Sequence, residues 1–179
     1  MHKNVKKILF TEAEIIARST ELGAAITNDY RDRERPPLLV ALLRGSVPFL
    51  AELIKHIDLD IQYDFMDVTS YAGTESGGDI KILKDLDTSV QDLDILLVED
   101  IVDTGRTLDA VISLLKNKGA RSVKIVTLLD KPSRRVLEMK PDYVGFEVPN
   151  EFVVGFGMDY NQLYRGLQYI GVLKEECYQ

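Results

Sequence analysis

Nine consecutive residues near the middle of the chain combine three carboxylates, two hydroxyl side chains and one glycine. They are Glu99-Asp100-Ile101-Val102-Asp103-Thr104-Gly105-Arg106-Thr107. Carboxylates accept hydrogen bonds from sugar hydroxyls or bind a hard cation. Hydroxyl groups and free backbone N–H groups bind an anion instead. The combination indicates a site for a phosphorylated sugar carried with Mg2+.

The residues on either side predict how this stretch is positioned. Four apolar residues, Ile95 to Val98, come directly before the acids and predict a strand buried on both faces. From Leu108 onwards, apolar residues recur at three- and four-residue spacing, which predicts a helix. Ligands of open α/β sheets bind beyond the carboxyl ends of the strands, and the start of a helix favours an anion. The turn between strand and helix is therefore the predicted anion site.

Three other interpretations of these residues compete with this one. One is an ordinary turn between a strand and a helix, with a solvated acidic end. Another is an aspartic protease, since Asp103-Thr104-Gly105 is the tripeptide of that class, but those enzymes need two such aspartates on an all-β scaffold. The third is a phospho-acceptor or phosphatase aspartate, which the spacing of Asp100 and Asp103 does not support. The coincidence of acids, threonines and glycine favours the phosphorylated sugar.

Composition narrows the class of protein further. The net charge of −7 argues against a nucleic-acid-binding surface as the main function. The one cysteine, Cys177, excludes an intrachain disulfide and is compatible with a reducing cytoplasm. Neither a secretory signal nor a membrane-spanning apolar run is visible. We expect a cytoplasmic protein whose residues 1–179 form a single domain.

The first half of the chain contains a second candidate anion site. Thr11 and Glu14 have the spacing of a capping box and predict a helix that continues to about Tyr30. A predicted strand over residues 38–43 then leads into Arg44-Gly45-Ser46 and another helix. Predicted strands at 61–70 and 80–83 flank a glycine-containing loop at 71–78. The sequence leaves open whether that loop is a functional lid or only a hairpin tip.

The second half continues the alternation of strands and helices. Gly119 is a predicted helix C-cap, a buried-type strand is predicted at 123–129, and a short strand is predicted at 142–148. An apolar cluster at 152–154 and a closing apolar segment at 169–173 follow. This alternation predicts an α/β fold with a mostly parallel central sheet flanked by helices.

Residues 99–107 resemble the phosphoribosyl-pyrophosphate-binding motif of phosphoribosyltransferases. Asp103 is typical of the 6-oxopurine members, the hypoxanthine-guanine phosphoribosyltransferases. The similarity extends from about Ile8 to Leu173. It implies the type I phosphoribosyltransferase fold, with a small hood built from the N- and C-terminal segments. It also implies purine salvage, in which 5-phosphoribosyl passes from phosphoribosyl pyrophosphate to hypoxanthine or guanine and gives IMP or GMP plus pyrophosphate.

The resemblance also implies roles for individual residues, with Asp103 as the catalytic proton acceptor. The phosphoribosyl group is expected to contact Glu99, Asp100, Asp103, Thr104, Gly105, Arg106 and Thr107. Pyrophosphate is expected to contact Leu43, Arg44, Gly45, Ser70, Tyr71 and Arg165. The purine is expected to contact Lys131, Phe152, Val153 and Asp159. The metal ligands are expected to be Glu99, Asp100 and Asp159. In the family, a non-proline cis peptide precedes the residue at position 44, where many members have lysine.

The implied cofactor is Mg2+, and the implied ligands are phosphoribosyl pyrophosphate, hypoxanthine and guanine. Family members are commonly dimers or tetramers, so a homodimer or homotetramer is expected, with no membrane and no nucleic acid as partner. Some proteins of this fold are nucleotide-sensing regulators that bind RNA. The net charge of −7 and the presence of Asp103 argue against that alternative here.

Overall fold

The computed structural model describes residues 1–70 and 80–178 of the chain. In that part of the chain the strands are β1 (Val5–Phe10), β2 (Leu38–Leu42), β3 (Gln62–Ser70), β4 (Ile80–Lys84), β5 (Asp94–Val102), β6 (Ser122–Asp130), β7 (Tyr143–Glu147), β8 (Val153–Val154) and β9 (Ile170–Leu173). The α-helices are α1 (Glu12–Tyr30), α2 (Val47–Leu53) and α3 (Arg106–Asn117). Short 3-10 helices lie at Ile54–His56, Pro132–Arg134 and Glu175–Cys177.

The main sheet has the strand order β4-β3-β2-β5-β6-β7. All neighbouring strands in it are parallel except β3 and β4, which form an antiparallel hairpin. The predicted mostly parallel α/β sheet is therefore confirmed. The strands that follow β2 in the chain, β3 and β4, lie on one side of the sheet, and those that follow β5, β6 and β7, lie on the other. The strand order therefore reverses between β2 and β5. A crevice at the carboxyl ends of β2 and β5 is the expected ligand site of such a sheet.

Helices cover both faces of this sheet, which explains why its central strands are continuous apolar runs. Leu96 and Val98 of β5 pack into one core with residues of α1 and α2. Ile95 and Leu97 point to the opposite face and pack into a second core with Leu108 and other residues of α3. Because successive side chains of a strand alternate between faces, each strand contributes to both cores.

A smaller antiparallel sheet, of order β1-β9-β8, forms the hood. It joins the N-terminal segment to the C-terminal one, as in the register pair Val5 and Leu173, so the predicted hood is confirmed. The strand β1 has little sequence signal of its own, because of its residues only Val5 is buried and the next three are exposed. Its pairing with β9 therefore defines it as a strand. None of the helices in the described residues is long and apolar enough to cross a membrane.

Two predicted helix caps are confirmed by their hydrogen bonds. The Thr11 side chain accepts from the backbone of Glu14 while the Glu14 side chain accepts from the backbone of Thr11, which is the complete capping box. At the end of α3, Gly119 has a φ of +91°. Its N–H donates to the carbonyl of Lys116, and the next N–H donates to that of Leu115. These two bonds form a Schellman motif, which a left-handed glycine makes possible.

Candidate active site

Six of the predicted site residues line a cavity of about 380 Å3 at the carboxyl ends of the central strands, namely Asp100, Asp103, Lys131, Phe152, Val153 and Asp159. Gly45, Thr104 and Arg165, which are predicted to bind phosphate groups, do not line it. Ile101, Arg134 and Tyr178 also line the cavity, although the sequence did not indicate them. Polar groups from β5 and from the segments that follow β5 and β6 thus share one concave site with apolar and aromatic groups of the hood. Such a combination is typical of a small-molecule pocket.

The acidic pair lies within β5 rather than beyond its end. The ladder with β6 continues past the acids to the pairs Ile101–Leu129 and Val102–Asp130, so β5 ends at Val102. Burial raises the pKa of Glu99 well above its ordinary value, and the charge of Asp100 raises it further. Burial also raises the pKa of Asp100, against the effect of the Ile101 N–H, which donates to its carboxylate at 2.8 Å. Two adjacent desolvated carboxylates favour a bound cation.

The turn after β5 has the geometry predicted for an anion site. Gly105 is buried, has a φ of +85° and immediately precedes the first residue of α3. The first main-chain bond across the helix start joins the Asp109 N–H to the Gly105 carbonyl, at 2.9 Å. The N–H groups of Arg106 and Thr107 belong to the first turn, where no intrahelical acceptor is available. Helix α3 begins two residues earlier than the apolar spacing predicted, because a helix starts with a polar turn before its buried face appears.

Two arginines that the sequence did not single out bind the Asp103 segment. The Arg134 Nε lies 3.2 Å from the Oδ1 of Asp103. The Arg135 side chain donates to the main-chain carbonyl of Asp103 at 3.2 Å and forms an ion pair with Asp130. Both arginines follow Lys131 in the segment after β6. The sequence did not indicate them as site residues, because adjacent charged residues in turns are usually solvated. They connect the end of β6 to the turn that follows β5.

The loop after β2 packs directly against the acidic pair. The Leu43–Arg44 peptide bond is cis, as the resemblance implied. The main-chain N–H of Leu43 donates to the carbonyl of Met66 at 2.8 Å. A Cβ atom on Gly45 would lie 1.7 Å from Oδ2 of Asp100. The Arg44 side chain is exposed, so the loop turns a buried glycine towards β5 and a cation towards solvent.

Glycine also permits the third segment to approach this loop. Gly157 has a φ of +101°, and a Cβ atom on it would lie 1.9 Å from the carbonyl oxygen of Gly45. The Arg165 side chain donates to the Gly157 carbonyl at 2.7 Å and lies 2.9 Å from Oδ1 of Asp159. Three regions that are far apart in sequence, around residues 45, 100 and 157, therefore meet at one point.

The remaining wall combines a buried cation with an aromatic ring. Lys131 is only 5% exposed, and its Nζ donates to the main-chain carbonyl of Glu151 at 2.9 Å. Burial lowers the pKa of Lys131, partly offset by the charge of Asp103. Phe152 is 37% exposed where it lines the cavity, and the neighbouring Val153 is buried in β8. This wall offers hydrogen-bond donors beside a flat apolar surface.

Other predicted residues are placed less completely. Thr104 and Thr107 are partly exposed, and Arg106 is exposed at the start of α3. Ser70 is the last residue of β3, and Tyr71 and the rest of the 71–78 loop lie outside the described residues.

The donor set fits Mg2+ held together with a ligand. Within residues 1–70 and 80–178, no group of three or more His, Cys, Asp or Glu side chains could hold a metal ion by itself. Mg2+ is usually bound by one or two carboxylates plus substrate phosphates and water, rather than by a complete protein cage. Glu99 and Asp100 supply oxygen donors of this kind.

Comparison with known proteins agrees with this geometry. Residues 7–161 match the model of the phosphoribosyl transferase domain. The hypoxanthine-guanine phosphoribosyltransferase of Lactococcus lactis is 57% identical over 179 residues, covering 99% of this chain and 96% of its own. That of Streptococcus mutans is 54% identical and covers 99% of this chain and 98% of its own. A crystal structure of a hypoxanthine phosphoribosyltransferase from Staphylococcus aureus has a TM-score of 0.94 at 47% identity, covering 100% of this chain and 97% of that chain.

Proposed function

Because this chain belongs to the phosphoribosyltransferase family, we propose that it transfers 5-phosphoribosyl from phosphoribosyl pyrophosphate to hypoxanthine or guanine. The reaction forms a bond between N9 of the base and C1′ of the sugar. It breaks the bond between C1′ and the pyrophosphate oxygen, giving IMP or GMP. The observation that carries the proposal is the single cavity that joins Asp100, Asp103, Lys131 and Phe152.

The phosphoribosyl end of the substrate fits the acidic strand and the turn after it. The 5′-phosphate binds Thr104 to Thr107, a segment that offers the N–H groups at the start of α3 and two hydroxyl groups. Glu99 and Asp100 accept hydrogen bonds from the ribose hydroxyls, directly or through water. Asp100 is better placed than Glu99 to bind the ribose hydroxyls and Mg2+, because Asp100 also lines the cavity.

The pyrophosphate end fits the loop after β2. Leu43, Arg44 and Gly45 present main-chain groups and one exposed cation there, and Arg165 supplies a second cation near Asp100. Ser70 and Tyr71 are assigned to the same group by resemblance alone. Glu99 and Asp100 would hold Mg2+, which would supply positive charge to offset that of the pyrophosphate leaving group. Asp159, whose Oδ1 lies 2.9 Å from Arg165, is the proposed position for a second ion.

The base fits the wall formed by the hood and the end of β6. A purine stacks on the exposed face of Phe152 beside Val153, while Lys131 donates to the 6-oxo group. The ammonium of Lys131 has three N–H donors, so its bond to the Glu151 carbonyl leaves others for the base. An amino group at the same place on adenine would present a donor to a donor. Selection of 6-oxopurines follows from this mismatch.

Asp103 is the proposed proton acceptor. Attack by N9 on C1′ requires the base to lose the proton of its imidazole ring, and a carboxylate near N7 accepts it. Asp103 lines the same cavity as Lys131 and Phe152, and its carboxylate forms an ion pair with Arg134. The developing positive charge on C1′ is of the oxocarbenium kind found in other glycosyl transfers. The same proposal includes a cytoplasmic homodimer or homotetramer, as is common in the family.

The test is a transfer assay with purified protein, phosphoribosyl pyrophosphate, Mg2+ and a panel of purine and pyrimidine bases. We expect nucleotide from hypoxanthine and guanine, and very little from adenine, orotate or uracil. Absence of transfer to either 6-oxopurine, in protein that is folded by circular dichroism, would contradict the proposal.

A further inference from the structure

Phe152 does not line the cavity alone, because a second aromatic ring stacks on it. The rings of Phe152 and Tyr178 have centroids 4.9 Å apart and planes 24° apart. Tyr160 meets Phe152 edge-on, with centroids 5.5 Å apart and planes 90° apart. Tyr178 also lines the cavity that contains Asp103 and Lys131. The wall of the cavity proposed to bind the base is therefore an aromatic cluster, to which Tyr178 contributes a ring.

The segment that carries Tyr178 is held by hydrogen bonds from its own turn and from the hood. The N–H of Lys174 donates to the carbonyl of Asn4 at 2.9 Å, which ties the segment to the start of β1. The 3-10 helix Glu175–Cys177 then turns the chain back, and the N–H of Tyr178 donates to the carbonyl of Glu175 at 3.1 Å. Tyr178 is partly buried against the hood core. Its ring is thus placed on Phe152 by a defined structure.

Phe152 needs such a neighbour because of where it lies. It directly precedes the two-residue strand β8, follows the exposed Asn150 and partly exposed Glu151, and is itself 37% exposed. A ring stacked on a partly exposed aromatic side chain restricts the torsions of that side chain. A base that stacks on a ring already held in place loses less conformational freedom on binding.

We propose that Tyr178 is a positioning residue for the purine, which fixes the Phe152 ring and closes that side of the base pocket. This rests on the proposed function, since it concerns the base of that reaction. Tyr178 acts through its ring, so phenylalanine serves equally well at this position. The proposed phosphoribosyl pyrophosphate site, at residues 43–45 and 99–107, does not depend on the Tyr178 ring.

The experiment compares Tyr178→Ala with Tyr178→Phe. The KM for hypoxanthine, the KM for phosphoribosyl pyrophosphate and kcat are measured for each, with the other substrate saturating. We expect Tyr178→Ala to raise the KM for hypoxanthine by about three- to tenfold, the range that loss of an aromatic pair gives. The other two constants should change far less, and Tyr178→Phe should match the wild type.

Tyr164→Ala is the matched control for general loosening of the hood, because Tyr164 packs in the same hood core but does not line the cavity. It should leave the KM for hypoxanthine unchanged. In a Phe152→Ala background, Tyr178→Ala should add little further effect, since Tyr178 acts through Phe152.

The proposal is overturned if Tyr178→Ala leaves the KM for hypoxanthine unchanged or lowers it, the latter meaning that the ring obstructs the pocket. It is also overturned if Tyr164→Ala has an equal effect, or if the Phe152 and Tyr178 effects simply add. A wild-type protein without transfer activity would instead refute the proposed function. In that case, calorimetric titration of hypoxanthine into wild type and Tyr178→Ala tests the role of Tyr178 separately: equal affinity, or no binding, overturns it.

Discussion

Gly45 and Asp100 lie so close together that no side chain fits between them. A Cβ atom on Gly45 would lie 1.7 Å from Oδ2 of Asp100 and 2.6 Å from its Cγ. Gly45 follows β2 and Asp100 lies near the end of β5, and these are the two strands between which the strand order of the sheet reverses. The contact therefore joins the proposed pyrophosphate loop to the proposed ribose-binding acid.

Gly45→Ala should displace the Asp100 carboxylate while the fold is retained, because a terminal carboxylate can move. We expect kcat/KM to fall by about 100-fold, the scale expected when a reacting group is misplaced by roughly 1 Å. Steady-state kinetics and a thermal melt provide the test. Gly166→Ala is the matched control, since a Cβ atom there meets nothing within 4 Å. Full activity in Gly45→Ala would show that the position of Asp100 is not critical.

Asp103→Asn should lower the rate of the chemical step by about 10²- to 10⁴-fold, since asparagine is nearly the same size but cannot accept a proton. Affinity for phosphoribosyl pyrophosphate should change far less, because the turn at 104–107 remains. Single-turnover kinetics and calorimetric binding separate the two quantities. Arg134→Ala removes the ion pair but not the base, and should cause a much smaller loss. Equal losses in rate and affinity in Asp103→Asn would mean that Asp103 organises the turn instead.

Lys131→Met should erode discrimination between hypoxanthine and adenine, because methionine fills the same space without an N–H donor. A site built to hydrogen-bond one group can reject an analogue lacking it by roughly 10⁴-fold or more. The ratio of kcat/KM for the two bases is the measurement. Lys116→Met, on the exposed side of α3, is the control. A wild-type protein that uses adenine as well as hypoxanthine would refute the role of Lys131.

Removal of divalent cations by EDTA should abolish transfer, and added Mg2+ should restore it. The reason lies in the proposed site, where Glu99 and Asp100 would supply only part of the Mg2+ coordination shell and the substrate would complete it. The fold should survive EDTA, since no described cluster of side chains holds a metal by itself. Activity and circular dichroism are followed in the same samples. Undiminished transfer in EDTA would eliminate the metal from the mechanism.

Low pH should reduce the free energy of unfolding in part through Asp94. This residue begins β5 and therefore lies at the opposite end of the strand from the site. Its carboxylate accepts from Arg121 Nε at 2.9 Å and from Ser122 Oγ at 2.6 Å. The bond from Arg121 lowers the pKa of Asp94 below its ordinary value, although burial opposes this. The stabilising effect is therefore present above about pH 4, the unfolded pKa, and is lost as the pH falls through the lower folded pKa.

Asp94→Asn should consequently flatten the acid limb of the stability curve below about pH 4. At neutral pH it should cost about 1–2 kcal/mol, reduced because Arg121 is half exposed. Urea unfolding across pH measures both effects, with exposed Asp32→Asn as the control. An acid limb as steep as that of the wild type would assign the acid sensitivity to other carboxylates.

Features that depend on neighbouring residues could be predicted from the sequence alone. The capping box at Thr11, the glycine end of α3, the order of acids, turn and helix, and the two-sided burial of β5 all follow from spacings of a few residues. Their physics is local, because caps and turns satisfy their own backbone groups, and a strand buried on both faces must be apolar throughout. The resemblance to phosphoribosyltransferases rests on the same local stretches, which is why it could be recognised.

Contacts between segments that are distant in sequence could be seen only in the tertiary structure. The extension of β5 through its acids depends on pairing with β6, and the strand β1 exists because β9 pairs with it. The same holds for the approach of Gly45 to Asp100 and for the stacking of Tyr178 on Phe152. Each of these contacts joins side chains or backbones whose separation depends on how the helices and sheets pack. The spacing of residues along the sequence does not specify that distance.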